Sequence, residues 1–159
     1  MKLHSIVYVM IMLFVAFVLE HLPLPAMVDW FQPAWVMLVV TAAVLAAPSV
    51  FGVWLAIPLG LMLDVEHHTL LGTHILSMSL HIFILQILYR RMMMFNFLQQ
   101  TGVIFLLVGV QQLLVYWSVA LVSEQVTPVS LWTPALTSAL VWPWVYALGH
   151  AARVRLNLR

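Results

Sequence analysis

The sequence predicts an all-α integral membrane protein, a compact bundle of six transmembrane helices with both termini on the cytoplasmic side. Three observations carry that prediction. Of 159 residues, 65% are apolar and only 7% are charged, whereas a soluble domain carries roughly a quarter charged residues to face water. The apolar residues must therefore face lipid as well as one another. Short polar or proline-containing breaks divide them into runs at about 5–22, 33–47, 48–63, 70–89, 101–122 and 134–152. Six spans also sort the charges. Lys2, Arg90, Arg91, Arg153, Arg155 and Arg159 fall on one side, and Glu20, Asp29, Asp64, Glu66 and Glu124 on the other. Five spans would split the basic clusters across the membrane, so the cytoplasmic excess of Lys and Arg favours six.

Composition also excludes function classes. A net charge of +1 with no basic stripe does not suit a nucleic-acid partner. The absence of cysteine removes disulfides, thiol nucleophiles and thiolate metal sites. No nucleophile–base motif, phosphate-binding glycine loop or metal-ligand motif is present, so neither an enzyme nor a cofactor or metal is expected. No connection exceeds about 14 residues, which leaves a single transmembrane domain over 1–159.

Taken in order, the first run follows Lys2 as a signal peptide would. It ends in Glu20-His21-Leu22-Pro23 with no small-residue cleavage site, and so reads as a retained span. Pro33, Pro48 and Pro134 are expected in the first turns of the second, third and sixth spans, where a missing N–H is tolerated. The second and third spans are short. Fifteen residues make about 22 Å of helix against about 30 Å of hydrocarbon, so one helix broken at Pro48-Ser49 is the alternative. Trp30, Phe31, Trp117 and Trp132 fall near the non-cytoplasmic ends, where interfacial anchors belong.

In the third span, Gly52, Ala56 and Gly60 recur every fourth residue and Asp64 continues the face. Small residues at that spacing let another helix approach backbone to backbone. The face either docks a partner helix, closed by the carboxylate, or packs within the bundle. Pro58 is expected to bend this span. In the fourth, His74, Ser77 and His81 share a face, with His67-His68 just upstream. Ionisable groups at membrane depth are functional candidates, although two histidines two turns apart are too wide for one ion. Neutral histidines bonded inside the bundle are the structural alternative. Gln111 and Gln112 need partners at mid-membrane, as interhelical glue or as a ligand site. Arg90-Arg91-Met92-Met93-Met94 reads as a surface segment lying on anionic headgroups, or as a methionine-rich contact for a cytosolic partner. In the sixth span, Trp142-Pro143-Trp144 implies a kink, with indoles that need acceptors or an interface.

Together these pieces resemble the bacterial rod-shape-determining MreD family. The resemblance rests on Pro33-Ala34-Trp35, then Pro48, then Gly60-Leu61-Met62-Leu63-Asp64 followed by Leu71-Gly72-Thr73. Trp142-Pro143-Trp144 and the basic tail complete it, over about 120 residues. His67, His68, His74 and His81 are outside that pattern and carry no role from it. The resemblance implies a non-enzymatic scaffold of the cell-wall elongation complex in the bacterial inner membrane. It would bind an MreC-like bitopic protein and, through it, a transpeptidase, a SEDS-type glycosyltransferase and the MreB filament. It also implies a fold similar to the substrate-binding S-components of energy-coupling-factor transporters. The alternative function is therefore a small-molecule-binding or transporter subunit, with a polar pocket near His74, His81 or Gln112.

Overall fold

A computed structural model describes residues 3–23, 25, 31–48, 50–67, 69–121 and 132–155. It contains six α-helices and no strand among the described residues. These are α1 (Leu3–Glu20), α2 (Trp35–Ala46), α3 (Ala56–Glu66), α4 (Thr73–Met92), α5 (Phe97–Ala120) and α6 (Thr133–Arg155), with a 3-10 turn at Val53–Leu55. Lys2, Asp29, Trp30, Ser49, His68, Glu124 and Arg159, used in the topology argument above, lie outside the described residues, as do the side chains of Arg153 and Arg155.

The helices form because long Leu, Met, Ala and Val runs satisfy every backbone group internally, as an apolar surrounding demands. They end where the sequence supplies a break. Gly72 takes φ +103° at the start of α4, a conformation that side chains disfavour. Asn96 opens α5, its N–H donating to Gln99 Oε1 at 3.1 Å.

Helices α2, α4, α5 and α6 close into a ring, with α1 laid on α2 and α3 on α4. The shortest but one is the most enclosed: Val36, Met37, Leu38, Val40, Thr41, Ala43, Val44 and Leu45 of α2 are all buried. Its 12 residues make about 18 Å of helix. Helix α2 is therefore a core strut whose ends are met by neighbouring elements. α5 is long and apolar enough to cross a membrane, and α1 and α2 supply shorter apolar helices. The exterior carries large apolar side chains, among them Phe14, Ile57, Leu76, Phe83, Leu106, Leu140 and Trp144. A water-facing surface would not expose so many.

Several local expectations are corrected. The chain does break at Pro48, but Pro48 lies in the turn after α2 and opens no helix; α3 begins only at Ala56, after the 3-10 turn. Pro33 precedes α2 by two residues, and its carbonyl accepts the Trp35 N–H. Pro58 falls in the first turn of α3, where its missing N–H leaves little to disturb. Pro134 is second in α6, as expected, and Pro143 lies inside that continuous helix. Asp64 sits within the last turn of α3, which runs on to Glu66.

Helices alternate in direction. The end of α1 meets the start of α2 (Glu20 with Val36), and the end of α3 meets the start of α4 (Asp64 with His74). The end of α4 meets the start of α5 (Met92 with Gln100), and Ser138 near the start of α6 meets Ala34. Leu3 and Arg155 consequently lie at the same end, together with Arg90 and Arg91. Glu20, Asp64 and Glu66 lie at the other.

Candidate functional site

The polar groups gather at that acidic end. Gly60 makes the first contact possible: a Cβ there would stand 2.6 Å from both Cα and N of Ile75. No side chain fits against backbone at that distance, so only glycine lets α3 meet the first turn of α4. The Gly52, Ala56, Gly60 and Asp64 stripe therefore packs inward, against its own α4, with Ala56 and Gly60 buried. Gly52 sits where a Cβ would be 3.4 Å from Gln86 Nε2.

Asp64 is the centre of the site. Its Oδ2 accepts the Gly72 N–H at 2.7 Å, and its Oδ1 accepts the His74 N–H at 2.8 Å. Oδ1 also receives the Thr69 hydroxyl at 3.0 Å and His74 Nδ1 at 2.9 Å. A carboxylate only accepts, so His74 Nδ1 carries the proton. Asp64 thus caps α4 from another helix, serving N–H groups that have no partner within their own helix. His67 stacks on His74 with centroids 5.2 Å apart.

Glu20 does the same for α2, its Oε2 accepting the Val36 N–H at 2.9 Å. Ser138 Oγ accepts the Ala34 N–H at 2.9 Å. Gln32 Nε2 donates to Leu19 O at 2.6 Å, and His21 pairs with Glu66. The end of the bundle is laced by side chains from α1, α3 and α6.

The expected His74, Ser77 and His81 face exists and is buried, but its members turn to different partners. Ser77 donates to His74 O at 3.2 Å. His81 Nε2 lies 2.8 Å from Thr41 Oγ1, whose own proton goes to Met37 O at 2.7 Å. Nε2 is therefore the donor, and Nδ1 stays unprotonated and without a partner. No group of three or more His, Cys, Asp or Glu suited to a metal occurs among the described residues.

A residue not singled out in the sequence, Gln100, holds the opposite end together with Trp142. Gln100 Nε2 donates to Met92 O at 3.1 Å and Phe95 O at 3.2 Å, and its Oε1 accepts Trp142 Nε1 at 3.2 Å. Trp142 is wholly buried, so its N–H finds an acceptor inside and not at an interface; Trp144 points out. Gln111 is buried with Oε1 unpartnered. Gln112 lines a cavity of about 220 Å³ with Glu20, Gln32, Pro33, Ala34, His67 and Pro134. Phe31, Trp117 and Trp132 are exposed, and Arg90, Arg91 and Met94 project from the other end. Trp35 begins α2 and packs against the core.

Such an arrangement defines a helix bundle with an apolar exterior, in which the buried carboxylate and the imidazole beside it brace one helix against the next. Comparison with known proteins agrees with that class. The sequence profile for rod shape-determining protein MreD matches residues 2–151. A rod shape-determining protein MreD from Haemophilus influenzae is 31% identical over 148 residues, covering 91% of this chain and 89% of that protein. No solved structure matches. The chain belongs to the MreD family, and membership gives it a role in rod shape determination.

Proposed function

We propose that the protein is a six-span inner-membrane scaffold, both termini cytoplasmic, that binds an MreC-like bitopic protein and helps position lateral peptidoglycan synthesis. The observation that carries this reading is how Asp64 spends its hydrogen bonds. Four donors from Thr69, Gly72 and His74 converge on it, a use that fixes geometry and commits both of its oxygens to the start of α4. Charge sorting along the bundle supports the orientation, with Arg90 and Arg91 toward anionic cytoplasmic lipid. The transpeptidase, the SEDS-type glycosyltransferase and the MreB filament are reached through the bitopic partner.

The stripe on α3 is spent on α4, so the partner helix meets the neighbouring outward face, where Ile57, Leu61 and Val65 of α3 and Trp54 of the preceding 3-10 turn are exposed. The test is a gentle-detergent pull-down followed by mass spectrometry. Recovery of an MreC-like protein, reduced by Ile57→Ala with Leu61→Ala at unchanged melting temperature, supports the scaffold and its face. Recovery of an ATP-driven transporter module with no cell-wall partner moves the transporter reading to first place. Unchanged recovery with the double variant removes this face of α3 from the interface.

A further inference from the structure

Helices α1 and α6 both pack on α2 but not along one another, so a cleft stays open between them with α2 as its floor. Val39, Ala42 and Ala46 line the floor, Met12 one wall and Val145 the other, around about 40 Å³. Ala42, Ala46 and Gly149 also line a second hollow at the end of α2, together with Met93 and Tyr146. Those last two lead on into a wider pocket of about 520 Å³, closed by Asn96, Phe97 and Leu98 at the start of α5. The three hollows form one track from the flank of the bundle to its basic end.

The two ends of the track differ in chemistry. In the cleft every lining side chain is apolar, the Tyr8 hydroxyl apart, so a polar guest would lose its hydrogen bonds there. A helix, about 10–12 Å across with its side chains, is too thick for it; a methylene chain is not. The wider pocket asks for the opposite. The Phe97 and Leu98 N–H groups stand in the first turn of the 24-residue α5, where no carbonyl of their own helix reaches them and the dipole favours an anion. Arg90 and Arg91 are exposed in the last turn of α4, shortly before Met93. Among the described residues, the carboxylates of Glu20, Asp64 and Glu66 all lie at the far end of the bundle. A guest that suits both ends has a negative headgroup and a flexible apolar tail.

We propose that this track binds one anionic phospholipid from the leaflet at the basic end. Its phosphate lies at the start of α5 beside Arg90 and Arg91, and an acyl chain fills the cleft between α1 and α6. The site does not depend on the bitopic partner, so failure of either reading leaves the other standing.

The experiment titrates the full chain, purified into detergent and stripped of phospholipid, with phosphatidylglycerol, and reads adducts by native mass spectrometry. One phosphatidylglycerol should bind saturably, about tenfold tighter than phosphatidylcholine with the same chains, a difference of about 1.4 kcal/mol. Glycerol phosphate, which has the charge without the tail, should not displace it. Arg90→Gln with Arg91→Gln should bring the two lipids to equal affinity. Ala46→Leu fills the track from a half-buried floor position and should weaken both lipids by about tenfold, with melting as the check on folding. The proposal is overturned if phosphatidylcholine binds as tightly as phosphatidylglycerol, if glycerol phosphate competes, or if folded Ala46→Leu binds like the parent. Dimers that Ala46→Leu disperses, with no lipid bound, would give the cleft to a second copy and overturn it too. Should Ala46→Leu fail to fold, the variant of the two exposed arginines decides.

Discussion

At the scale of single residues, Asp64 and Gly60 do work that composition alone does not reveal. Asp64→Ala leaves the Gly72 and His74 N–H groups without an acceptor, and losing a buried charge from such a network costs about 3–5 kcal/mol. Unfolding in detergent micelles measures it. Gly60→Ala adds one methyl against the Ile75 backbone at 2.6 Å; no rotamer relieves it, so α3 must move off α4. A lowered melting temperature is expected, whereas Gly102→Ala, with open space around its Cβ, should be neutral or stabilising. A shape defect from a bulky residue at position 60 therefore reports broken internal packing and says nothing of partner docking. The spacing of Gly60, Asp64 and Gly72 was readable in the sequence because it is local. The partner of Glu20 was not, since Val36 lies across a helix reversal, and nothing near Glu20 marks it as a cap.

Among the elements, the number and order of helices follow from where apolar runs are interrupted, but their roles do not. α2 and α3 are both short helices, yet α2 is the enclosed strut and α3 lies outside on α4. Periodicity does not single out the buried face of α2, where nearly every position is apolar; the packing partners do. The α4–α5–α6 corner has the same character. Gln100 holds the end of α4 and the N–H of Trp142 at once, from a sequence position that reads as an ordinary polar residue beside a helix start. Gln100→Leu should destabilise by about 2–3 kcal/mol, because it strands an indole N–H and two carbonyls away from water. Trp142→Phe removes the N–H with modest loss of volume. The two changes together should cost less than the sum of each alone, and a double-mutant cycle read by chemical unfolding measures that coupling.

For the whole molecule, the described acidic residues and the described arginines occupy opposite ends. The proposed orientation is testable with little engineering, because the chain has no cysteine. In spheroplasts, a membrane-impermeant maleimide should label Trp132→Cys from outside and Met94→Cys only after lysis. The reverse pattern would invert the topology, and labelling of both would refute a six-span path. The bond from the Ala34 N–H to Ser138 joins residues 104 apart, and α2 also packs along α6. During translation, then, the central strut waits for α6 to leave the ribosome before it has these neighbours. A chain stopped before Thr133 presents the same apolar runs to the insertion machinery, yet leaves the start of α2 unfinished and its flank uncovered. Such a chain should insert but be cleared by membrane quality-control proteases, in a pulse-chase where the full chain persists. The core of this protein closes only when α6 reaches it.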